Sequence, residues 1–474
     1  MNLIYFSKRT IFIVYFLIIC LALGACRKFV QIPPAPNLIV TSQVFSDSTD
    51  ADAAVLALYI TMIRSATVLA PFDGGITVYT GLSSDELYST RGLAPENSIY
   101  ANAILQTNTT ISSLWSSSYQ LAYKANAIIE GLTGSKAMEA SARDQLIGEA
   151  KIVRALVYFN LVNLYGAVPF VTSTNYEMNA VIPRTPVDSV YKGIISDLVS
   201  AQSLLSDNYL TAGRVRPNSY TASALLSRVY LYRKDWRNAE NMASRIINDS
   251  GTYKIVNDLN KVFLSSIANT NNTEAIWQLT PVQPGYETTE GYFFIPTSST
   301  VKPKYVISDF LLTAFETDDL RKTAWMKGNT IGGKIYKYPF KYKLGKDGNA
   351  TEFYMIFRLA EQYLIRAEAL AQQGKLEDAA VDLNMIRNRA GLLPNSASTQ
   401  EDLLSAIYHE RQVELFCEWG HRWFDLKRTE QVNTIMPEVT SSKAGSWDTN
   451  WQLYPIYLDE LNQNHFLTQN PGYH

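Results

Sequence analysis

The chain has 474 residues, 47% of them hydrophobic, and its 42 Lys+Arg against 44 Asp+Glu give a formal net charge of −2. That balance argues against a nucleic-acid surface, since phosphate binding takes clustered positive charge. Three cysteines exclude a disulfide framework, and no Pro/Gly/Ser linker or charge block divides the length into separate domains.

At the N-terminus, Lys8 and Arg9 precede an apolar stretch over 11–23 and then small residues, the order of a secretory signal. The stretch is shorter than the roughly 20 apolar residues a membrane span needs. "LALGAC" at 21–26 resembles a bacterial lipobox, which makes 1–25 a lipoprotein signal peptide and Cys26 the lipidated N-terminus; an ordinary export signal with an incidental cysteine is the alternative. Acyl chains anchor through about 0.8 kcal/mol per buried CH₂, so no spanning helix is required. The prolines of "RKFVQIPPAPN" suit an extended tether. Cys20 departs with the signal and Cys26 takes lipid, which leaves Cys417, and one cysteine forms no internal disulfide.

Residues 70–110 are rich in Gly, Thr, Asn, Pro and Tyr without a period, and they read as a long ordered loop. Next come two apolar-periodic stretches ending at Gly131 and Gly166, each glycine suited to a helix C-cap. From 219 to 247, Ala222, Leu225, Leu226 and Val229 mark one helix face. The pattern breaks at Lys234 and Asp235, and Trp236, Ala239, Ala243 and Ile247 mark a second helix. Residues 280–350 again read as loop. From 359 to 389 the two-helix pattern returns, with Gly374 at the turn; shifting the first pair by 140 positions overlays Trp236 on Leu376 and Ala239 on Ala379. A fourth pair is predicted over 403–428.

Small residues at helix crossings, repeated in pairs, resemble tetratricopeptide repeats. The fold class expected is mostly α, with tetratricopeptide-like helical hairpins packed among long irregular loops and few short strands. A single domain over 26–474 is expected, its N-terminal part (26–270) carrying the first hairpins and its C-terminal part (271–474) the later loops and last hairpins.

Signatures of catalysis are missing from the sequence. His409 near Glu410 and Glu414, and His421, lack the spacing of a metal site, and there is no GxSxG, Walker or GxGxxG motif, so no catalytic residue, metal ligand or cofactor is assigned. The adjacent acids Asp85–Glu86 and Asp318–Asp319 would need to face one another across a sugar to act as glycosidase carboxylates, and adjacent acids on solvated loops are common. Cys417 reads as a buried inert thiol.

Several ordered motifs together resemble the SusD-like (RagB/SusD) nutrient-uptake outer-membrane lipoproteins. They are the lipobox at Cys26, "SSDEL" from Ser83, "RALVYFNLVNLYGAVPF" from Arg154, "RPNSYTASALLSRVYLYRKDW" from Arg216, "EAIWQL" from Glu274, "FRLAEQYLIRAEALAQQG" from Phe357, "IRNRAG" from Ile386, "ERQVELFCEWGHRWFDLKR" from Glu410 and "QNPGY" at the end. The chain departs from that pattern at Tyr457 and His465, where prolines are usual. The resemblance implies a surface-exposed lid on a SusC-like TonB-dependent outer-membrane transporter, lipid-anchored, binding a glycan, or in some branches a peptide, for uptake. It implies no enzyme and no nucleic acid. A tetratricopeptide-like protein scaffold is the reading from another class.

A sugar ligand has its own physical signature, since pyranose C–H faces stack on aromatic rings while hydroxyls require polar partners. The first loop supplies Asp85, Tyr88, Arg91, Asn97 and Tyr100, and the loop after "IWQL" supplies Tyr286, Tyr292 and Phe293; packing within the loops or against the transporter is the alternative role for each. If Cys26 is the anchor, Cys26→Ala is expected to move the expressed protein from the outer-membrane fraction to the soluble periplasmic fraction. Retention in the membrane without any transporter present would refute the anchor.

Overall fold

The computed structural model describes residues 44–265, 272–346 and 350–473, so the signal segment and Cys26 lie outside it. In chain order come α1 (Ser48–Met62), α2 (Gly75–Ser83), β1 (Leu87–Ser89), α3 (Ala94–Tyr100), α4 (Thr109–Gly134), α5 (Ala140–Tyr165), α6 (Val187–Leu204), α7 (Ser219–Tyr232) and α8 (Trp236–Ile247). There follow β2 (Ala275–Leu279), α9 (Thr289–Phe294), β3 (Tyr305–Ile307), β4 (Met326–Ile331), β5 (Lys334–Pro339) and β6 (Tyr354–Arg358). The last long helices are α10 (Leu359–Gln372), α11 (Leu376–Arg389), α12 (Gln400–Glu414), α13 (His421–Arg428) and α14 (Val432–Ser442), with shorter helical segments between and after the named elements. The fold is mostly helical with few short strands.

Local chemistry accounts for the helix boundaries. Asn218 caps α7 through a reciprocal exchange with Thr221, and the Asp235 side chain accepts from the Asn238 amide to start α8. Helices α4 to α8 lie side by side, each on the next, and α10 packs directly on α8, followed by α11 and α12. The array therefore continues across the 248–358 insertion, and the two helix pairs with matching apolar patterns are neighbours. Ala239, Ala243 and Ala379 are fully buried, as close helix crossings require.

Two readings of the sequence are corrected. Helix α4 does not end at Gly131 but continues to Gly134, because Gly131 is a packing residue: a side chain there would collide with the Phe45 ring. The supposed loops contain α2, α3, α9 and the antiparallel strand pairs β1–β3 and β4–β5, while β2 and β6, which flank the second loop, pair with each other. Strands of three to six residues are too short to show a period. Between β4 and β5, Gly332 and Gly333 both have positive φ, the backbone a two-residue hairpin turn demands.

Where the insertion meets the helices lies a buried web of charge. Arg321 reaches Asp319 at 2.8 Å, Glu410 at 2.6 Å and Glu414 at 2.9 Å. Arg358, at the end of β6, contacts Glu414 at 2.5 Å and Glu418 at 2.8 Å, while Arg389 at the end of α11 holds Glu274 at 2.8 Å and also bonds Glu414. Lys341 adds Glu418 at 2.5 Å, and the fully buried Trp325 lies within 6 Å of Lys341, Arg358 and Arg389. Burial alone would raise the Glu414 carboxyl, but Arg389, Arg358 and Arg321 outweigh it and hold it well below the carboxylate range.

Removing one member of such a web strands the others without compensation, which costs about 3–5 kcal/mol. Glu414→Ala is therefore expected to lower stability by about that amount in thermal and denaturant unfolding. Glu430→Gln, which breaks the exposed Lys234–Glu430 pair, should leave the unfolding curve unmoved. Equal curves for the two variants would refute the weight placed on the web.

Candidate functional site

The two aromatic loops singled out from the sequence, about 200 residues apart, are joined by β1 and β3. Leu87 pairs with Ile307, Tyr88 with Val306 and Ser89 with Tyr305, and the Thr90 amide donates to the Lys304 carbonyl at 2.9 Å. Successive strand residues point to opposite faces, so Tyr88 and Ser89 start two different clusters.

On the Ser89 side, buried Glu96 of α3 organises the first loop. It accepts from Ser89 at 2.7 Å, Arg91 at 2.6 Å and the Tyr305 hydroxyl at 2.7 Å. The Arg91 guanidinium then lies 5.5 Å from the Phe293 ring centre. Phe293 is buried beneath, Tyr292 meets it edge-on at 5.2 Å, and Tyr286 meets Tyr292 at 5.5 Å. Tyr286 and Tyr292 remain half-exposed and form the outer layer of the platform.

On the other side, Tyr88 and Tyr100 are half-buried near Tyr336, which projects from β5 where that strand packs on β3. Burial raises the Tyr88 hydroxyl, and neighbouring Tyr336, Asp309 and Tyr100 add to the rise. Three oxygen-bearing side chains thus lie near enough to Tyr88 to act on its hydroxyl.

Each residue expected at the site has a definite place. Arg91, Tyr286, Tyr292 and Phe293 form one cluster, Phe293 as its buried floor; Tyr88 and Tyr100 belong to the other, and Asn97 is exposed on α3 between them. Asp85 is not on the loop surface. Its carboxylate is buried and bonded by Arg422 of α13 at 2.8 and 2.6 Å, and although burial opposes ionisation, Arg422 lowers the carboxyl below its usual range. Asp85 therefore roots the loop instead of facing a ligand. Glu86 beside it is also buried, and Asp319 belongs to the charge web, so neither adjacent acid pair faces solvent together. His421 is buried near Glu361, His409 meets the Ala314 carbonyl at 2.6 Å, and burial pushes the Cys417 thiol up.

The sequence reading missed Glu96, Tyr305, Tyr336, Lys304 and Lys346. Only Tyr305 and Tyr336 carried a signal, as aromatics in a Tyr-rich segment. Lys346 is brought in by Gly291, where α9 lies so close to the Leu344 carbonyl that a side chain would collide. Helix α9 is itself pinned from below: Thr289 bonds Asp73, and Tyr354 donates to the Thr289 hydroxyl or accepts from it at 3.0 Å.

A larger open cleft of about 770 Å³ lies elsewhere, lined among others by Trp115, Tyr119, Tyr123, Tyr176 and Glu460. Its inner rings are engaged internally, Trp115 against Tyr165 at 5.0 Å and the Tyr119 hydroxyl donating to the Pro169 carbonyl at 2.8 Å. At the β1–β3 platform, by contrast, the half-exposed rings of Tyr286 and Tyr292 lie beside the cationic groups of Arg91, Lys304 and Lys346.

A family model described as the SusD family matches residues 172–473, and one described as starch-binding associating with outer membrane matches residues 65–231. SusD-like protein P25 of Formosa agariphila is 24% identical, with 97% of this chain and 99% of that protein covered. The starch-binding protein SusD of Bacteroides thetaiotaomicron is 22% identical, with 73% and 74% covered. Among solved structures, a laminarin binding SusD-like protein has a TM-score of 0.74 at 24% identity, covering 90% of this chain and 99% of its own. Surface glycan-binding protein A from Bacteroides fluxus has a TM-score of 0.74 at 22% identity, covering 90% and 100%. The structural likenesses establish the fold.

Beneath the platform, burial pushes the carboxyls of Asp73, Glu86 and Glu290 up to about 7, 8 and 8. Among the described residues one oxygen of Glu290 has no hydrogen-bond partner. In the unfolded chain such groups ionise near 4 to 4.5, so the stability tied to their protonated forms is complete in acid and is lost as pH rises toward 8. Glu290→Gln keeps the neutral form. Relative to the parent it is expected to gain about 1–3 kcal/mol at pH 8.5 and little at pH 4.5. A difference independent of pH in thermal unfolding would contradict the assignment.

Proposed function

This chain belongs to the SusD family, and from that premise we propose that its β1–β3 platform binds an oligosaccharide. The observation that carries the reading is the half-exposed Tyr286–Tyr292 pair, set beside Arg91 and across β1–β3 from Tyr88 and Tyr100. Ring faces take the apolar side of a pyranose, and phenol and guanidinium groups take its hydroxyls. The names of relatives support it: a starch-binding protein, a laminarin binding protein and surface glycan-binding proteins share the family or the fold. The protein captures the glycan without cleaving it.

The wider role proposed is that of a lipid-anchored outer-membrane protein that passes glycan to a SusC-like TonB-dependent transporter. The family description of outer-membrane association and the lipobox-like sequence at Cys26 support this part. Within the single domain proposed over 26–474, the helical array supplies a scaffold and the inserted loops the ligand surface.

The test is a glycan array on the purified domain, followed by calorimetry. Tyr292→Ala is expected to weaken binding of the best oligosaccharide by about tenfold or more, equivalent to ~1.4 kcal/mol, with unfolding unchanged. Tyr88→Ala should weaken it less if its cluster holds the end of the chain. Loss of affinity in Tyr176→Ala with Tyr292→Ala unaffected would move the site to the 770 Å³ cleft. Capture of peptides with no saccharide bound would replace the reading.

A further inference from the structure

Charge is the platform feature that glycan stacking alone does not explain. The Lys304 ammonium lies 3.9 Å from the centre of the Tyr292 ring and 4.6 Å from that of Phe293. Lys346 lies 4.9 Å from the Tyr286 ring and 5.5 Å from Tyr292, and Arg91 covers Phe293 from another direction. Glu96, the acid bonded within this group, is committed to Arg91 and Tyr305. Among the described residues neither Lys304 nor Lys346 forms an ion pair. A similar arrangement sits across the strand pair, where Lys302 and Lys334 lie 4.8 and 5.4 Å from Tyr336. All this occurs in a chain whose formal net charge is −2.

Cations brought together without counter-ions repel one another, and burial adds a cost. Both effects act on Lys304: burial, then Arg91 and Lys346, lower its ammonium below the usual lysine range. The ring faces offset part of this through cation–π attraction. An anion lying between the two ammoniums would relieve the rest, and it would do so where a sugar ring stacks.

We propose that the platform selects an acidic oligosaccharide, with the ring resting on Tyr292 and Tyr286 and its carboxylate or sulfate group paired to Lys304 and Lys346. The proposal rests on the glycan-binding reading above and narrows it to a charge class. Arg91, the residue whose planar fork matches a carboxylate, has its charge countered by Glu96 and its Nη1 engaged by Glu96 and Tyr305, so the uncompensated charge at the platform is that of the two lysines, which are point charges. Point charges accept either acidic group.

Calorimetry on the purified domain would compare three series of equal length: neutral laminari- and malto-oligosaccharides, oligogalacturonates or oligoguluronates, and sulfated galactan oligosaccharides. At least one acidic series is expected to bind about tenfold or more tighter than either neutral series at 50 mM NaCl. That advantage should shrink several-fold at 500 mM, where screening acts within a few Å. Which acidic series prevails distinguishes carboxylate from sulfate. Lys304→Gln and Lys346→Gln should each lower acidic affinity by about threefold to tenfold and flatten the salt dependence, with thermal unfolding as the check that both variants fold.

Neutral oligosaccharides binding as tightly as acidic ones, without salt dependence, would overturn this proposal and leave glycan binding standing. Acidic affinity unchanged in both folded variants would also overturn it. No saccharide of any charge, with acidic peptides captured instead, would remove the glycan reading itself.

Discussion

The buried arginine–carboxylate web is the constraint on which the rest of the structure depends. Arg321, Lys341 and Arg358 come from the segment inserted between α8 and α10, whereas Arg389, Glu410 and Glu414 come from the helices that follow and Glu418 from the turn between α12 and α13. Taking so many charges out of water is costly, and their mutual attraction repays it only in a geometry where each group meets its partners. A hydrophobic core tolerates small slips between surfaces; interlocked forks and carboxylates do not. The web therefore fixes the insertion against the helical array in one arrangement.

That arrangement positions the platform. Arg358 ends β6 and opens into α10, while β6 pairs with β2, so the strand core is aligned by the same residue that anchors the web. Lys341 lies five residues before Lys346, and Glu352 accepts the amides of Lys343 at 2.6 Å and Leu344 at 3.0 Å, which holds this run against α9 at Gly291. At the other loop, Arg422 on α13 grips Asp85 two residues before β1. Both halves of the platform are thus tied to the last helices, so a ligand bound there would meet surfaces already in place, at a reduced ordering cost.

A contrast in charge runs between the two layers. In the web, cations and carboxylates are matched, and Glu414 stays ionised. One layer outward, Asp73, Glu86 and Glu290 are buried with too little positive charge beside them, and burial pushes each toward neutrality. At the surface the imbalance reverses, since among the described residues neither Lys304 nor Lys346 is paired with a carboxylate. The deep layer acts as scaffold, and the outer cations are the groups on which the proposed charge selectivity rests.

The sequence by itself determined the helices, because an apolar face at intervals of three and four residues is a local signal, and Ala239 with Ala243 marked where helices must approach closely. It also marked the aromatic loops, through their tyrosines and missing period. It misled at Gly131, since a glycine that makes room for Phe45 looks the same as one that ends a helix. Only the tertiary structure decided which charges are inside. Arg321, Arg358 and Arg389 carried no local signal of burial, and Asp85 read as a ligand contact, yet all four are buried in pairs, that of Asp85 with a residue 337 positions away. The cationic character of the platform was hidden for the same reason. Arg91, Lys304 and Lys346 are scattered along a near-neutral chain, and they become one patch only when β1 pairs with β3 and α9 packs on the Leu344 backbone, because electrostatic interaction depends on distance in space.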